Sequence, residues 1–130
     1  MLRALAAAGH GARVLITDGN YPASTAAPLQ VERVHLNLCQ GSVTVTEVLR
    51  ILLRTIPVES AALMQPPDES WPPIQQEIKA LLPANLPLRR CIRAEFYAEA
   101  RSADTALVVV TGDARRFANI ILTIGVLASE

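Results

Sequence analysis

The fold of this chain is decided largely by one stretch, Arg13-Val14-Leu15-Ile16-Thr17-Asp18-Gly19-Asn20. Its first five residues are rich in β-branched and apolar side chains, as in a buried strand, and Asp-Gly-Asn is a strong turn signal. Asp18 is therefore predicted at the carboxyl end of a strand. A second predicted strand, from Ala106 to Thr111, runs into Gly112-Asp113 in the same way.

Helical patterns alternate with such strands along the rest of the chain. Thr44 and Glu47 form a capping box before apolar residues at helical spacing, and Gly9 follows a run of helix formers where a left-handed cap is expected. The other predicted elements are strands at Val34–Leu38, Ser60–Met64, near Cys91 and at Asn119–Ile124, with helices at Pro72–Leu82 and Glu95–Ser102. This alternation predicts a single α/β domain over residues 1–130, with a central, largely parallel sheet flanked by helices. Functional residues are then expected at the carboxyl ends of strands.

The amino-acid composition indicates which classes of partner this chain can bind. Only 18% of the 130 residues are charged and 51% are hydrophobic, so we expect part of the surface to be covered by other copies in a homo-oligomer. The net charge is zero and no basic stripe is present, which argues against nucleic acid. Apolar runs are too short to span a bilayer, and no signal peptide is evident, so a cytoplasmic protein without membrane contact is expected. The two cysteines lack metal-ligand spacing and are interpreted as buried free thiols; no metal or nucleotide motif is found.

Two side chains stand out as candidates for chemistry. His10 lies between Gly9 and Gly11, where the backbone is adaptable and the imidazole can approach a ligand. The same pattern also suits a histidine that is only a polar loop residue after a helix, with no catalytic role. Asp18 has a similar alternative, since an aspartate that opens an Asp-Gly-Asn turn often bonds its own backbone.

The order of several short motifs resembles the L-fucose mutarotase / D-ribose pyranase family. Members carry Gly-His after the first helix, Asp at the end of the next strand, and an aromatic-small-Asn-Ile segment near the C-terminus. The matching residues here are Gly9-His10, Asp18 and Phe117-Ala118-Asn119-Ile120. Arg93 four residues before Tyr97, and Thr111-Gly112-Asp113, look more like the fucose branch than the ribose branch.

This resemblance implies a three-layer fold and an isomerase that needs no cofactor. His10 would be the catalytic acid/base, and Asp18, Arg93, Phe117, Ala118 and Asn119 would bind a monosaccharide. The family also implies a ring-shaped, decameric homo-oligomer with sites near subunit contacts. The reaction expected is the exchange of the anomers of a reducing sugar such as L-fucose by ring opening and reclosure.

One position departs from the family pattern. Members usually have tyrosine where this chain has Phe117, so the ring is kept and a hydroxyl is lost; Tyr21 is hypothesised to replace it in part. The alternatives to the fucose-type reaction are a D-ribose pyranase-type interconversion of pyranose and furanose forms, a sugar-binding or transport-accessory module without catalysis, and an interaction protein that uses only the scaffold.

Overall fold

The structure is a computed structural model that describes residues 1–128. Four helices and six strands follow one another along the chain. In order they are α1 (Leu2–Ala7), β1 (Arg13–Thr17), β2 (Glu32–His35), α2 (Val45–Thr55), β3 (Val58–Met64), α3 (Pro73–Leu81), β4 (Leu88–Cys91), α4 (Arg93–Ala100), β5 (Thr105–Val110) and β6 (Ile120–Ile124). No helix in this part of the chain is both long and apolar enough to cross a membrane.

All six strands form one sheet in the order β2-β5-β1-β6-β3-β4. β5 pairs with β1 and β2 in parallel, and β3 pairs with β4 in parallel. β6 runs the other way, because it pairs antiparallel with both β1 and β3. The predicted α/β class with a largely parallel sheet is confirmed, and the one reversed strand lies in its middle.

Helices and a loop cover the two faces of the sheet and give three layers. One face packs against α1, α2 and α3 through a cluster that includes Leu49, Leu52 and Ile78. The other face packs against α4 and against residues of the 21–27 segment, with Phe96 fully buried among them. Side chains alternate between the faces along β1, so that Val14 and Ile16 belong to the first cluster and Leu15 to the second.

The predicted elements are all present, and their ends lie at most three residues from the predicted positions. The Thr44 cap is confirmed, because the hydroxyl oxygen of Thr44 accepts a hydrogen bond from the amide of Glu47 at 3.3 Å. The predicted left-handed cap at Gly9 is wrong: α1 ends at Ala7, the next residue, Ala8, is extended, and Gly11 is the residue with a positive φ, 88°. Cys91 is buried as expected, but Cys39 is exposed, since it lies in the loop that leads to α2.

Gly112 is packed against backbone and tolerates no side chain. A Cβ atom there would lie 2.4 Å from the carbonyl oxygen of Cys39 and 2.5 Å from that of Ser42. We expect Gly112→Ala to lower the free energy of unfolding by about 2–3 kcal/mol, because the loop would have to move. Urea unfolding measures this, and Gly9→Ala, where a Cβ meets nothing within 4 Å, is the control. Equal stability of the two variants would contradict the packing described.

Candidate functional site

The reversal of β6 brings polar residues from distant parts of the sequence to one edge of the sheet. β1, β3, β4 and β5 end at this edge, and β6 begins there. Ile120 pairs with Ile16 across the sheet, so Asn119, which precedes β6, lies beside the end of β1 where Asp18 follows. The chain is thereby folded so that two polar side chains 101 residues apart are in contact.

Asp18 and Asn119 form the buried floor of this site. The Oδ1 atom of Asn119 accepts a hydrogen bond from the amide of Asp18 at 2.8 Å, and its Nδ2 atom donates to Oδ2 of Asp18 at 3.3 Å. The two residues are only 3% and 5% exposed. The amide of Asn20 donates to the other carboxylate oxygen of Asp18 at 2.9 Å.

Burial dominates the electrostatics of Asp18. It raises the pKa of the carboxyl group above its ordinary value, and the nearby Asp113 acts in the same direction. Hydrogen bonds from the amides of Asn20 and Tyr21, and from the Asn119 side chain, oppose this rise in the pKa of Asp18. A further hydrogen-bond donor, such as a hydroxyl group of a ligand, would stabilise the ionised form of Asp18 in this position.

A cavity of about 730 Å³ opens above this floor, within the range typical of small-molecule sites. Its polar lining residues are Asp18, Asn20, Arg93, Arg116 and Asn119. Its other lining residues are Tyr21, Met64, Pro67, Tyr97 and Phe117. The combination of buried acceptors, amides, cations and aromatic rings is suited to a small polyhydroxylated ligand.

The sequence-predicted residues divide into two groups. Asp18, Arg93, Phe117 and Asn119 line this one cavity. Ala118 does not: the whole residue is fully buried, in the cluster that packs beneath α1–α3.

His10 lies at the opposite edge of the sheet. It precedes β1, and the neighbouring Gly11 amide donates to the carbonyl of Ile124 at the far end of β6. The five-residue strand β1 therefore separates His10 from Asp18 by roughly 16 Å or more. The imidazole is 58% exposed and its Nε2 atom lies 2.9 Å from Oε2 of Glu59. Within the described residues of one chain, the side chains of His10 and Asp18 therefore do not meet in one site.

Tyr21 lines the cavity with its hydroxyl group already engaged. The phenolic oxygen donates its hydrogen to the carbonyl of Ala26 at 2.8 Å, and the ring packs edge-on against Phe96 and Tyr97. Burial raises the pKa of this hydroxyl well above its ordinary value. In this conformation the hydroxyl hydrogen is committed to the backbone and the oxygen is left to accept, so the partial replacement by Tyr21 of the hydroxyl missing at Phe117 stays a prediction.

Gln75 links two segments that line the cavity, a role that the sequence alone did not predict. Its fully buried Nε2 atom donates to the carbonyl of Met64 at 2.7 Å and to that of Phe117 at 3.0 Å. Phe117 has a φ of 61°, a conformation uncommon for a residue with a side chain, and the bond from Gln75 holds it. Oε1 of Gln75 in turn accepts from Arg90 at 3.3 Å. The only sequence signal is a polar residue beside Ile74 on the inner face of a helix.

We expect Gln75→Met to destabilise the protein by about 2–4 kcal/mol, because two buried carbonyl groups lose their donor while the side-chain volume is retained. Denaturant unfolding is the measurement. Gln76→Met is the matched control, since Gln76 lies next to it on the exposed face of α3 and bonds only the Trp71 carbonyl. A Gln75→Met protein as stable as the control would contradict the assigned role.

Asp113, in the turn three residues after β5, stabilises the scaffold. Its Oδ2 atom accepts from the amide of Val45, the first residue of α2, at 3.0 Å, and Arg115 donates to both carboxylate oxygens. Burial alone would raise the pKa of Asp113, but Arg115 and these amides hold that pKa below its ordinary value. Arg115 also pairs with Glu77 on α3. This acid therefore caps a helix and anchors the turn that leads to Phe117.

Comparison with known proteins identifies relatives along almost the whole chain. A D-ribose pyranase of Chloroflexus aggregans is 32% identical over 123 residues, covering 95% of this chain and 88% of the relative. The human fucose mutarotase is 34% identical over 146 residues, covering 98% of this chain and 88% of the relative.

Comparison with solved structures identifies the same family by fold. Bacillus subtilis RbsD, solved in complex with D-ribose, superposes with a TM-score of 0.85 at 24% identity, over 98% of this chain and 92% of that one. At that identity the likeness shows the fold alone. The model of the RbsD / FucU transport protein family matches residues 1–127. This chain therefore belongs to the RbsD / FucU family, whose relatives named above are a sugar pyranase and a sugar mutarotase.

Proposed function

We propose that this protein is a sugar mutarotase that exchanges the anomers of a reducing monosaccharide, of the fucose type, by acid/base-assisted ring opening and reclosure. The observation that carries the proposal is the buried Asp18–Asn119 pair at the floor of a cavity lined by Arg93 and Phe117. Asp18 accepts hydrogen bonds from sugar hydroxyl groups, and Asn119 both donates and accepts. The Phe117 ring covers an apolar face of the sugar.

The reaction needs only proton transfers. A base takes the proton of the anomeric hydroxyl group, the ring oxygen receives a proton as its bond to the anomeric carbon breaks, and an open aldehyde results. The aldehyde end rotates and the ring closes by the reverse transfers. Imidazole gives and takes protons readily near neutral pH, so His10 is the acid/base of the proposal.

His10 is proposed to act in the cavity of a neighbouring copy, because it lies at the opposite edge of its own sheet. Val126 and Leu127, which line a groove beside His10, are 66% and 83% exposed. Apolar side chains exposed to this extent favour burial against another subunit. A closed ring of copies, decameric as the family resemblance implies, would give every cavity one imidazole from its neighbour.

A sugar-binding module without catalysis is the second candidate. The observation in its favour is the position of His10, which leaves the cavity of one chain without an imidazole. Phe117 adds to it, since this ring has no hydroxyl group to relay a proton. The two candidates agree on binding and differ only in catalysis.

NMR exchange spectroscopy tests the proposal. Anomer exchange of L-fucose, D-ribose and D-galactose is followed with and without the protein, each against its own spontaneous rate. Faster exchange of L-fucose supports the fucose-type mutarotase, and faster pyranose/furanose exchange of D-ribose would assign the pyranase reaction instead. Line broadening of the sugar signals without faster exchange would overturn catalysis in favour of the binding module.

A further inference from the structure

One arginine at the edge of the sheet bonds several groups that lie behind the cavity. Arg90 lies in the edge strand β4, and its guanidinium group lies over the ring of Trp71, 3.9 Å from the ring centre. One terminal nitrogen donates to the carbonyl of Ser70 and, at 3.3 Å, to Oε1 of Gln75, and the other donates to the carbonyl of Glu69 at 3.0 Å. Only a guanidinium group combines a planar fork of donors with a face that stacks on an aromatic ring.

These bonds fix the loop that leads from β3 to α3. The loop comprises residues 65–72 and carries Pro67, which lines the cavity. Glu69 has a φ of 62°, a conformation uncommon for a residue with a side chain, and its carbonyl is one of the groups that Arg90 holds. Arg90 is not one of the described residues that line the cavity, so it acts on this wall from behind.

The bond to Gln75 extends the effect of Arg90 to a second segment of the wall. A side-chain amide can turn over and exchange the positions of its acceptor oxygen and its donor nitrogen. By donating to Oε1, Arg90 selects the orientation in which Nε2 of Gln75 donates to the carbonyls of Met64 and Phe117. Two residues with positive φ, Glu69 and Phe117, thus depend on one guanidinium group. Such strain persists only where the surroundings hold it, and it concentrates at functional sites.

We propose that Arg90 is a positioning residue of the sugar site, which sets the places of Pro67 and Phe117 without touching the sugar. The inference rests on the proposed function of this cavity. The hydrogen bonds of Arg90 and Gln75 do not include Asp18 or His10. Loss of Arg90 therefore weakens the binding of the sugar equally in the ground state and in the transition state, which raises KM and leaves kcat unchanged.

The adjacent Arg89 provides a matched control. Its side chain lies on the other face of β4 and pairs with Glu99 on α4. We expect Arg90→Gln to raise KM for anomer exchange about tenfold with kcat within about twofold of the wild type, and Arg89→Gln to change neither. Arg90→Lys keeps the charge but has neither the fork nor the stacking face, so it should resemble Arg90→Gln.

These constants are measured by NMR exchange spectroscopy, with the sugar of the set above that the wild type exchanges fastest. An unchanged KM in Arg90→Gln, an equal rise in Arg89→Gln, or a wild-type KM in Arg90→Lys would overturn the inference. A loss that falls on kcat with KM unchanged would overturn it too. If Arg90→Gln does not fold, Trp71→Leu removes only the stacking and should raise KM about threefold; an unchanged KM in that variant would equally overturn the inference.

A second readout needs neither catalysis nor a sugar. Met1 and Met64 are the two methionines of the chain, so labelling of methionine methyl groups with ¹³C gives one NMR signal from the cavity and one reference signal. We expect the Met64 signal to be displaced in sugar-free Arg90→Gln and unchanged in Arg89→Gln. An identical Met64 signal in the wild type and both variants would overturn the positioning role. Exchange of no sugar above its spontaneous rate would overturn the mutarotase, while the Met64 signal still decided whether Arg90 positions the wall.

Discussion

Replacing His10 with alanine is expected to lower kcat for anomer exchange by about 10²–10⁴-fold, the contribution typical of a positioned acid/base. The fold should be unaffected, because the imidazole is exposed and its one partner, Glu59, is a surface residue. Pairs of this kind contribute about 0–1 kcal/mol to stability. NMR exchange rates and thermal unfolding of the same samples measure the two effects.

Mixing two inactive variants tests whether His10 serves a second copy. Chains with His10→Ala keep the cavity floor, and chains with Asp18→Asn keep the imidazole. If each site takes its floor from one copy and its histidine from another, equal mixing and reassembly should restore about a quarter of the wild-type activity in a closed ring. No recovery, with reassembly verified by mass measurement, would contradict a shared site; a fully active His10→Ala protein would remove His10 from the mechanism.

Asp18→Asn is expected to lower kcat/KM about 10–10²-fold. The carboxylate accepts hydrogen bonds from sugar hydroxyl groups more strongly than a neutral amide does, and such charged bonds contribute about 1.5–3 kcal/mol each. The same measurement on Asp68→Asn, in an exposed loop outside the cavity, provides the control. Equal kcat/KM values for the two variants would place Asp18 outside the binding site.

The same substitution has a predictable effect on the pH dependence of stability. Because burial raises the pKa of Asp18 above 3.8, the folded protein binds a proton that the unfolded chain releases between that value and the raised pKa. The contribution of Asp18 therefore makes the wild type less stable as pH rises through this window. The difference in unfolding free energy between Asp18→Asn and wild type should shift in favour of the variant as the pH rises above 3.8, until Asp18 of the folded protein is ionised. A difference that is constant with pH would contradict the raised pKa.

Strand ends were the part of the site that local sequence could predict. The apolar run before Asp18 marks where a strand ends, whatever the order of the strands in the sheet. The family resemblance added Arg93, Phe117 and Asn119. All four line the same cavity in the structure.

The direction of β6 could not be read from its residues. Ile120 to Ile124 form an apolar run that suits a parallel or an antiparallel neighbour equally well, since both bury the same side chains. This direction decides that Asn119 contacts Asp18 and that the start of β1, with His10, lies at the other edge. Gln75 and Arg116 were missed for a different reason, because a single polar residue in a helix or loop has no pattern that announces what it contacts.

The central position of β6 also has a consequence for how the protein is made. β6 follows the other five strands in the sequence, yet it separates β1 from β3 in the sheet. During translation the two halves of the sheet therefore emerge with their inner edges unpaired until residues 120–124 leave the ribosome. Exposed strand edges promote association between nascent chains. Because Asn119 arrives with β6, a partly synthesised chain has only the Asp18 half of its cavity floor, and the proposed binding of a sugar would report completion of the sheet.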